Sequence, residues 1–191
     1  MAQRSEAAGS VILRDGRRAT IRPLTEDDHA ALASFGQSLS KNDLLYLEDD
    51  FTNPEIIARL AFASKAENWR QIVAVLDDGT LVAWAAALRI PGWSYHVANV
   101  RLVVSPLCRR SGLGMKLAQA IVDAARELGV AKVTVNMLAA QTGGQVIFSH
   151  LGFMVEGKLA RHASDRNGNL HDIVLMSAYV QVSAGNDQPA D

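Results

Sequence analysis

The sequence predicts one α/β domain with a mixed, mostly antiparallel central sheet flanked by helices. Three observations predict it. Short apolar segments are joined at Asp15-Gly16, at Asp78-Gly79 and around Asn167-Gly168, dipeptides that supply the positive φ angles of tight hairpin turns. Between these hairpins lie segments whose apolar residues recur at helical spacing. The element order that results, with the opening hairpin counted as one β, is β, α, α, β, β, β, α, β, α, β, β, and with 191 residues, 49% hydrophobic and 20% charged, the chain can bury one sizeable core. The ends "MAQRSEAAGS" and "SAGNDQPAD" are small, polar and unpatterned, so the domain is expected over residues 11–181, with flexible tails at 1–10 and 182–191.

Each element has a local cause. "SVILRDGRRATIRPL" reads as two strands around Asp15-Gly16. Thr25 is placed to cap a helix whose first turn holds Glu26, Asp27 and Asp28, where carboxylates meet the positive end of the dipole, and Ala31, Leu32, Phe35 and Leu39 share one face. A second helix starts after an acidic stretch, with Asn53 as cap and Pro54 at the first helical position, where its missing N–H costs nothing. "RQIVAVLDDGTLVAWAAALRI" divides into a hairpin, and "SYHVANVRLVVSP" continues the antiparallel run until Pro106 stops it. Residues 115–128 carry Leu117, Ile121, Ala124, Ala125 and Leu128 on one face, with Gly129 where a left-handed C-cap falls. "AKVTVNML" alternates as a half-buried strand with Val133, Val135 and Met137 on one side, "GQVIFSHL" is a short helix ended by Gly152, and "FMVEGKLA" and "HDIVLMSAYV" close the sheet.

Composition excludes several functions. A net charge of −1 gives no electrostatic footprint for nucleic acid or an anionic membrane. The single cysteine, Cys108, forms no internal disulfide and no zinc spacing exists, so no metal is expected and a reducing, cytoplasmic setting fits. The sequence shows neither a signal-peptide pattern nor an apolar run long enough to span a bilayer.

"PLCRRSGLGMKL" is the informative stretch. A strand runs into a loop with Arg109, Arg110, Ser111, Gly112 and Gly114 and then into an amphipathic helix, a junction whose unpaired N–H groups and positive dipole end suit an anion. A Walker loop would need lysine and then serine or threonine after the second glycine, where Met115-Lys116-Leu117 stand. A dinucleotide fingerprint would need a third glycine and a parallel first strand. Neither motif fits, and a glycine-rich turn with solvated arginines remains the plain alternative.

Val104-Ser105-Pro106, followed by Arg109 and then Gly112-Leu113-Gly114, resembles the "V-x-P-x-x-[RQ]-x-x-G-x-[GA]" motif of the GCN5-related N-acetyltransferase (GNAT) family. "SHLGF" resembles that family's later "Y-x-x-x-G-F" region, and the element order matches over residues 11 to about 181. The resemblance implies a GNAT-type sheet in which the strand before the loop splays from "AKVTVNML" to hold acetyl-CoA. Arg109, Arg110, Ser111, Gly112, Leu113 and Gly114 would hold the pyrophosphate. Leu102, Val103 and Val104 would pair with the pantetheine amides as with an added strand. Gln141 falls where family members often have an asparagine contacting the pantetheine arm, and dimers are frequent in the family, so a homodimer is an expected assembly.

The implied reaction is direct attack, in a ternary complex, of a primary amine on the acetyl-CoA thioester; the amine belongs to a small molecule, an amino acid or a protein. A backbone N–H near Val104 would stabilise the oxyanion. Two groups common in the family are absent. The general-acid tyrosine is replaced by Phe148, which lies in the expected cofactor site, and "YHVANVRLVV" holds no carboxylate base. His96 and Asn99 are the polar residues available there, with His96 the candidate base because imidazole titrates near neutrality. Glu48, Asp49 and Asp50 of "LEDDF" would attract a cationic amine, and Trp93 and Tyr95 would wall the acceptor cleft; a solvated helix end is the plain reading of the three acids. Phe148 and the missing base also raise the alternative of a catalytically weak acyl-CoA-binding or sensing module.

Overall fold

The structure, a computed structural model, describes residues 9–180 apart from 45, 46, 48 and 166. Its centre is an eight-stranded sheet in the order β1-β2-β3-β4-β5-β6-β8-β7. The strands are β1 (Gly9–Ile12), β2 (Arg18–Pro23), β3 (Trp69–Leu76), β4 (Leu81–Arg89), β5 (Val97–Val104), β6 (Lys132–Leu138), β7 (Met154–Ser164) and β8 (Leu170–Tyr179). All neighbours run antiparallel except β5 and β6, which are parallel. Pairing begins at Gly9, opposite Ile21. The helices are α1 (His29–Ser38), α2 (Lys41–Leu44), α3 (Pro54–Phe62), α4 (Leu113–Arg126) and α5 (Thr142–His150). The short α2 has no periodic signature in the sequence, and α4 and α5 each begin two residues before the expected start.

The strand β4 explains the layering. Its run Leu81–Ala87 is buried throughout, and its alanines let helices approach both faces. On one face α4 places Leu113, Leu117, Ile121 and Ala125 against Ala85, Ala98, Val100, Val133 and Val135. Each fully buried leucine or isoleucine there contributes about 2 kcal/mol. On the other face α1 and α3 pack Leu32, Phe35, Ile57 and Leu60 on Val73, Trp84 and Val103. Among the described residues, no helix is long and apolar enough to cross a membrane.

Two local devices fix the segment before the main sheet. Thr25 caps a 3-10 turn (Glu26–Asp28), and the Asp28 carboxylate is turned inward, where it accepts both Arg22 guanidinium nitrogens at 2.7 Å and the Thr25 N–H at 2.9 Å. Asp28 therefore ties β2 to the entry of α1 instead of facing solvent. Burial alone would raise its pKa, but the bonds from Arg22 and Thr25 outweigh this and hold it below the usual carboxylate range. Gly36 of α1 lies against the strap that follows: a Cβ there would stand 1.9 Å from the carbonyl oxygen of Phe51.

Gly36→Ala is expected to force the 49–51 strap off α1, at a cost of about 3 kcal/mol or more, read as a lower urea midpoint at unchanged m-value. The lowered pKa of Asp28 adds stability that is complete above the unfolded carboxylate range and is lost as pH falls through the folded value. The melting temperature of Asp28→Asn should accordingly fall less steeply than that of the wild type in acid.

Candidate functional site: a cleft between parting strands

The site is made by two neighbouring strands that stop pairing. β5 is paired with β4 from Ala98 to Val104, but with β6 only from Val97↔Lys132 to Val100↔Val135. Beyond that point β6 keeps its partner β8 as far as Leu138↔Ile173. Each strand is held by its outer neighbour, so the inner edges part without unravelling. The Leu138 N–H, which a closed sheet would pair with the neighbouring strand, donates instead to Gln141 Oε1 at 2.8 Å. Gln141 is the residue before α5, and its side chain serves as a plug at the end of β6.

A cleft of about 730 Å³ opens between the strands, lined by Val100 to Val104 of β5, Val135 to Met137 of β6, and the starts of α4 and α5. The loop 105–112 forms one rim. Ser105 Oγ accepts the Leu107 N–H at 3.3 Å, the Cys108 N–H donates to Ser105 O at 2.9 Å, and Ser111 Oγ donates to Cys108 O at 2.6 Å. Gly112, at φ +89°, is the turn residue from which α4 starts, and Arg110 also adopts a left-handed φ of +58°. Among the described residues, the backbone N–H groups of Gly112, Gly114 and Met115 have no partner, and Gly112 and Gly114 line the cleft. A Cβ on Gly112 would meet nothing within 4 Å, so conformation and open space both distinguish this position. Gly114 instead admits α5, since a Cβ there would lie 3.2 Å from Ile147.

The cofactor-side residues expected from the sequence converge here. Leu102, Val103, Val104, Arg109, Arg110, Gly112, Gly114, Gln141 and Phe148 all line the cleft. Ser111 and Leu113 shape the loop from behind: Ser111 is 7% exposed with its hydroxyl turned to Cys108, and Leu113 is fully in the core. Arg109 reaches across to α2, with one guanidinium nitrogen 2.5 Å from Asp43 Oδ1. Burial would raise the Asp43 pKa, yet the bonds from Ser40 and Arg109 keep it lowered. Phe148 is buried and stacked edge-on against Phe153 at 5.0 Å. It offers no proton donor.

Of the residues expected for catalysis and for the acceptor, the structure places only Asp49 in the lining of the cleft among the described residues. His96 lies before the first residue of β5, where its carbonyl accepts the N–H groups of Ala131 and Lys132, at the opposite end of the strand and roughly 20 Å from Val103. Trp93 is 95% exposed, and Tyr95 67%, in the same distant connection. Asn99 is engaged across the paired part of the sheet, donating to Thr134 Oγ1 at 3.3 Å. None of the four lines the cleft. Asp50 forms a turn with the Thr52 N–H and hydroxyl at 3.0 and 2.6 Å, also outside the lining. Asp49 does line the cleft, but its carboxylate accepts Arg59 at 2.9 Å and Arg101 at 2.8 Å, so both oxygens are engaged. Glu48 lies outside the described residues.

Sequence reasoning missed Arg14, Asp43, Arg101 and Asn136, all of which line the cleft. Arg101 and Asn136 carried a signal, each being a polar residue inside an apolar strand; Arg14 and Asp43 carried none. Cys108 is buried beside Arg17, and burial pushes its thiol pKa up despite the nearby guanidinium. Among the described residues, no cluster of His, Cys, Asp and Glu is placed to hold a metal.

Residues 37–153 match the model of the Acetyltransferase (GNAT) family. The chain belongs to the GNAT family. The match includes the glycine loop, both parting strands and Phe148, while β1, β2, β7 and β8 lie outside it. Solved GNAT-like structures share the fold at low identity. The chain is similar to ribosomal-protein-S5-alanine acetyltransferase from Vibrio fischeri at 15% identity and a TM-score of 0.74, covering 84% of this chain and 92% of that one. A Salmonella typhimurium protein solved with its cofactor acetyl-CoA is 18% identical at a TM-score of 0.73, with 88% and 98% covered. Spermidine N-acetyltransferase from Vibrio cholerae, in complex with CoA and spermine, is 17% identical at a TM-score of 0.70, with 84% and 95% covered. No curated protein matches the chain.

The cleft fits the nucleotide end and arm of acetyl-CoA on its own geometry: unpaired N–H groups at a helix start, a rim without Cβ, and a strand edge without a partner. Gly112→Arg is expected to weaken acetyl-CoA binding more than about tenfold by filling the anion site. Gly112→Ala carries most of the same backbone strain without the bulk, so the difference between their dissociation constants isolates the blockade.

Proposed function

We propose that the protein is an N-acetyltransferase that moves an acetyl group from acetyl-CoA to a primary amine of a small molecule, an amino acid or a protein, by direct attack with both substrates bound. The observation that carries this reading is the early end of β5–β6 pairing at Val100↔Val135, directly beside the loop that starts α4. Bound acetyl-CoA supplies an acyl group activated as a thioester, and its thiolate, far less basic than an alkoxide or an amide anion, is a tolerable leaving group without a proton donor.

The chain's own residues divide the remaining work. The loop and first-turn N–H groups around Gly112 and Gly114 hold phosphate, the open edge at Leu102, Val103 and Val104 orients an extended arm, and Phe148 keeps water from the cleft. On the acceptor side stand Phe51, Trp84, Arg101 and Asn136. Proton removal has no obvious agent among the described lining residues. The carboxylates Asp43 and Asp49 are bonded to arginines, and Cys108 is raised by burial. The amine therefore enters neutral, turnover follows the amine's own titration, and the proton that nitrogen sheds as the amide forms passes to solvent or to the departing thiolate, which leaves as CoA thiol. Positioning supplies much of the rate.

A cytoplasmic setting belongs to the same reading, supported by the lone buried thiol of Cys108. Homodimer formation belongs to it as well. The alternative of a weakly catalytic acyl-CoA-binding module is favoured by one observation, Phe148 in the general-acid place.

Calorimetric titration of acetyl-CoA, followed by thiol release against a panel of amines, separates the two. Binding with amine-dependent thiol release supports the enzyme, and binding without release supports the sensor. For the enzyme, kcat/KM is expected to rise about tenfold per pH unit up to the acceptor's pKa, about 10 for a simple primary amine, with no plateau near neutrality. His96→Ala should retain this profile, because His96 stands away from the cleft.

A further inference from the structure

Four arginines line the cleft: Arg14, Arg101, Arg109 and Arg110. Arg101 is bonded to Asp49 and Arg109 to Asp43. The side chains of Arg14 and Arg110 have no hydrogen-bond or ion-pair partner among the described residues. Arg110 belongs to the loop motif. Arg14 comes from the hairpin between β1 and β2, outside the residues that the family model matches.

The hairpin is built to hold Arg14 at the rim. Leu13 is 2% exposed in the main core, and the turn closes through the Leu13 N–H to Arg17 O at 2.8 Å and the Gly16 N–H to Leu13 O at 2.9 Å. Two bonds then join the hairpin to the glycine loop. The Arg14 N–H donates to Ser111 O at 3.0 Å, and the Arg17 guanidinium, held by Asp15 at 2.6 Å, donates to Leu107 O at 2.7 Å. Arg17 and Asp15 are thereby occupied in bracing, while the neighbouring Arg14 side chain is left exposed and unpaired beside the unpartnered N–H groups at the start of α4.

An arginine fork held by its backbone against an anion site suits bidentate recognition of phosphate. We infer that Arg14 is a further binding residue of the acetyl-CoA site, donating its guanidinium to a phosphate of the cofactor's nucleotide end. The inference rests on the acetyl-CoA reading above. The nucleotide end carries a diphosphate and a separate ribose phosphate, and the loop N–H groups are suited to one of them, which leaves work for an added cation.

The test is calorimetric titration of acetyl-CoA, and of its dephospho form lacking the ribose phosphate, into the wild type, Arg14→Ala and Arg14→Lys. The bond from the Arg14 N–H to Ser111 survives both substitutions, so melting temperatures should be unchanged. Arg14→Ala is expected to weaken acetyl-CoA about tenfold, with a shallower dependence of affinity on salt, and Arg14→Lys to recover part of the loss. Loss confined to acetyl-CoA assigns Arg14 to the ribose phosphate, whereas equal loss with both forms assigns it to the diphosphate; either sustains the inference. Wild-type affinity in Arg14→Ala overturns it. Failure of the wild-type protein to bind acetyl-CoA would remove the parent reading too, a result distinct from an effect of the variant.

Discussion

The structure depends on two parallel strands separating while each remains fully paired on its other side. Leaving backbone groups unpaired inside a sheet is costly, and the local sequence answers this at each point where the edge opens. Gln141 satisfies the Leu138 N–H, and the Arg109 guanidinium approaches Val104 O at 3.4 Å. The Ser105 N–H donates to Val82 O at 2.8 Å, which keeps the end of β5 on β4 after β6 has left. The remaining open edge is a strand position in search of a strand, and an extended amide-bearing arm is the chemistry that completes it.

Electrostatics around the cleft follow from pairing more than from net charge. The chain is almost neutral, yet the rim concentrates arginines, and two of the four are locked to carboxylates of the segment between α1 and α3. These bonds give the cleft two sides of different character. Toward the glycine loop, cation and N–H groups stand open to an anion. Toward Asp49 both carboxylate oxygens are taken by Arg59 and Arg101, so on the proposed acetyltransferase reading selection of an acceptor falls to shape, aromatic surface and the Asn136 amide.

Turns and the anion loop were legible in the sequence because each is a local matter: Asp-Gly at a hairpin, glycine where φ must be positive, proline where a strand ends. The alternation in "AKVTVNML" and the spacing in α4 were equally readable. Position along a strand was not. His96 immediately precedes the extended segment that carries Val103, and only the register with β6 reveals that pairing covers the half near His96 and opens the half near Val103. Composition misled in the same way at "LEDDF", where an acidic cluster reads as an attractant for amines. In space Asp49 meets Arg59 and Arg101, partners distant in sequence, and becomes a structural anchor. The short α2 lacks any periodicity, and Arg14 gains its meaning from a hydrogen bond to Ser111, a partner no local pattern announces.

On the proposed acetyltransferase reading, the close approach of Gly36 to Phe51 ties acceptor choice to foldability. Phe51 stacks edge-on with Phe35 at 5.9 Å and with Trp84 at 5.1 Å, and both Phe51 and Trp84 also face the cleft. One set of aromatic rings is thus core on one side and pocket wall on the other. Substitutions that reshape the wall at these residues carry the stability cost of a core change, so drift toward new acceptors is steered to exposed lining positions such as Asn136, where side chains can vary without disturbing the packing of α1 on the sheet.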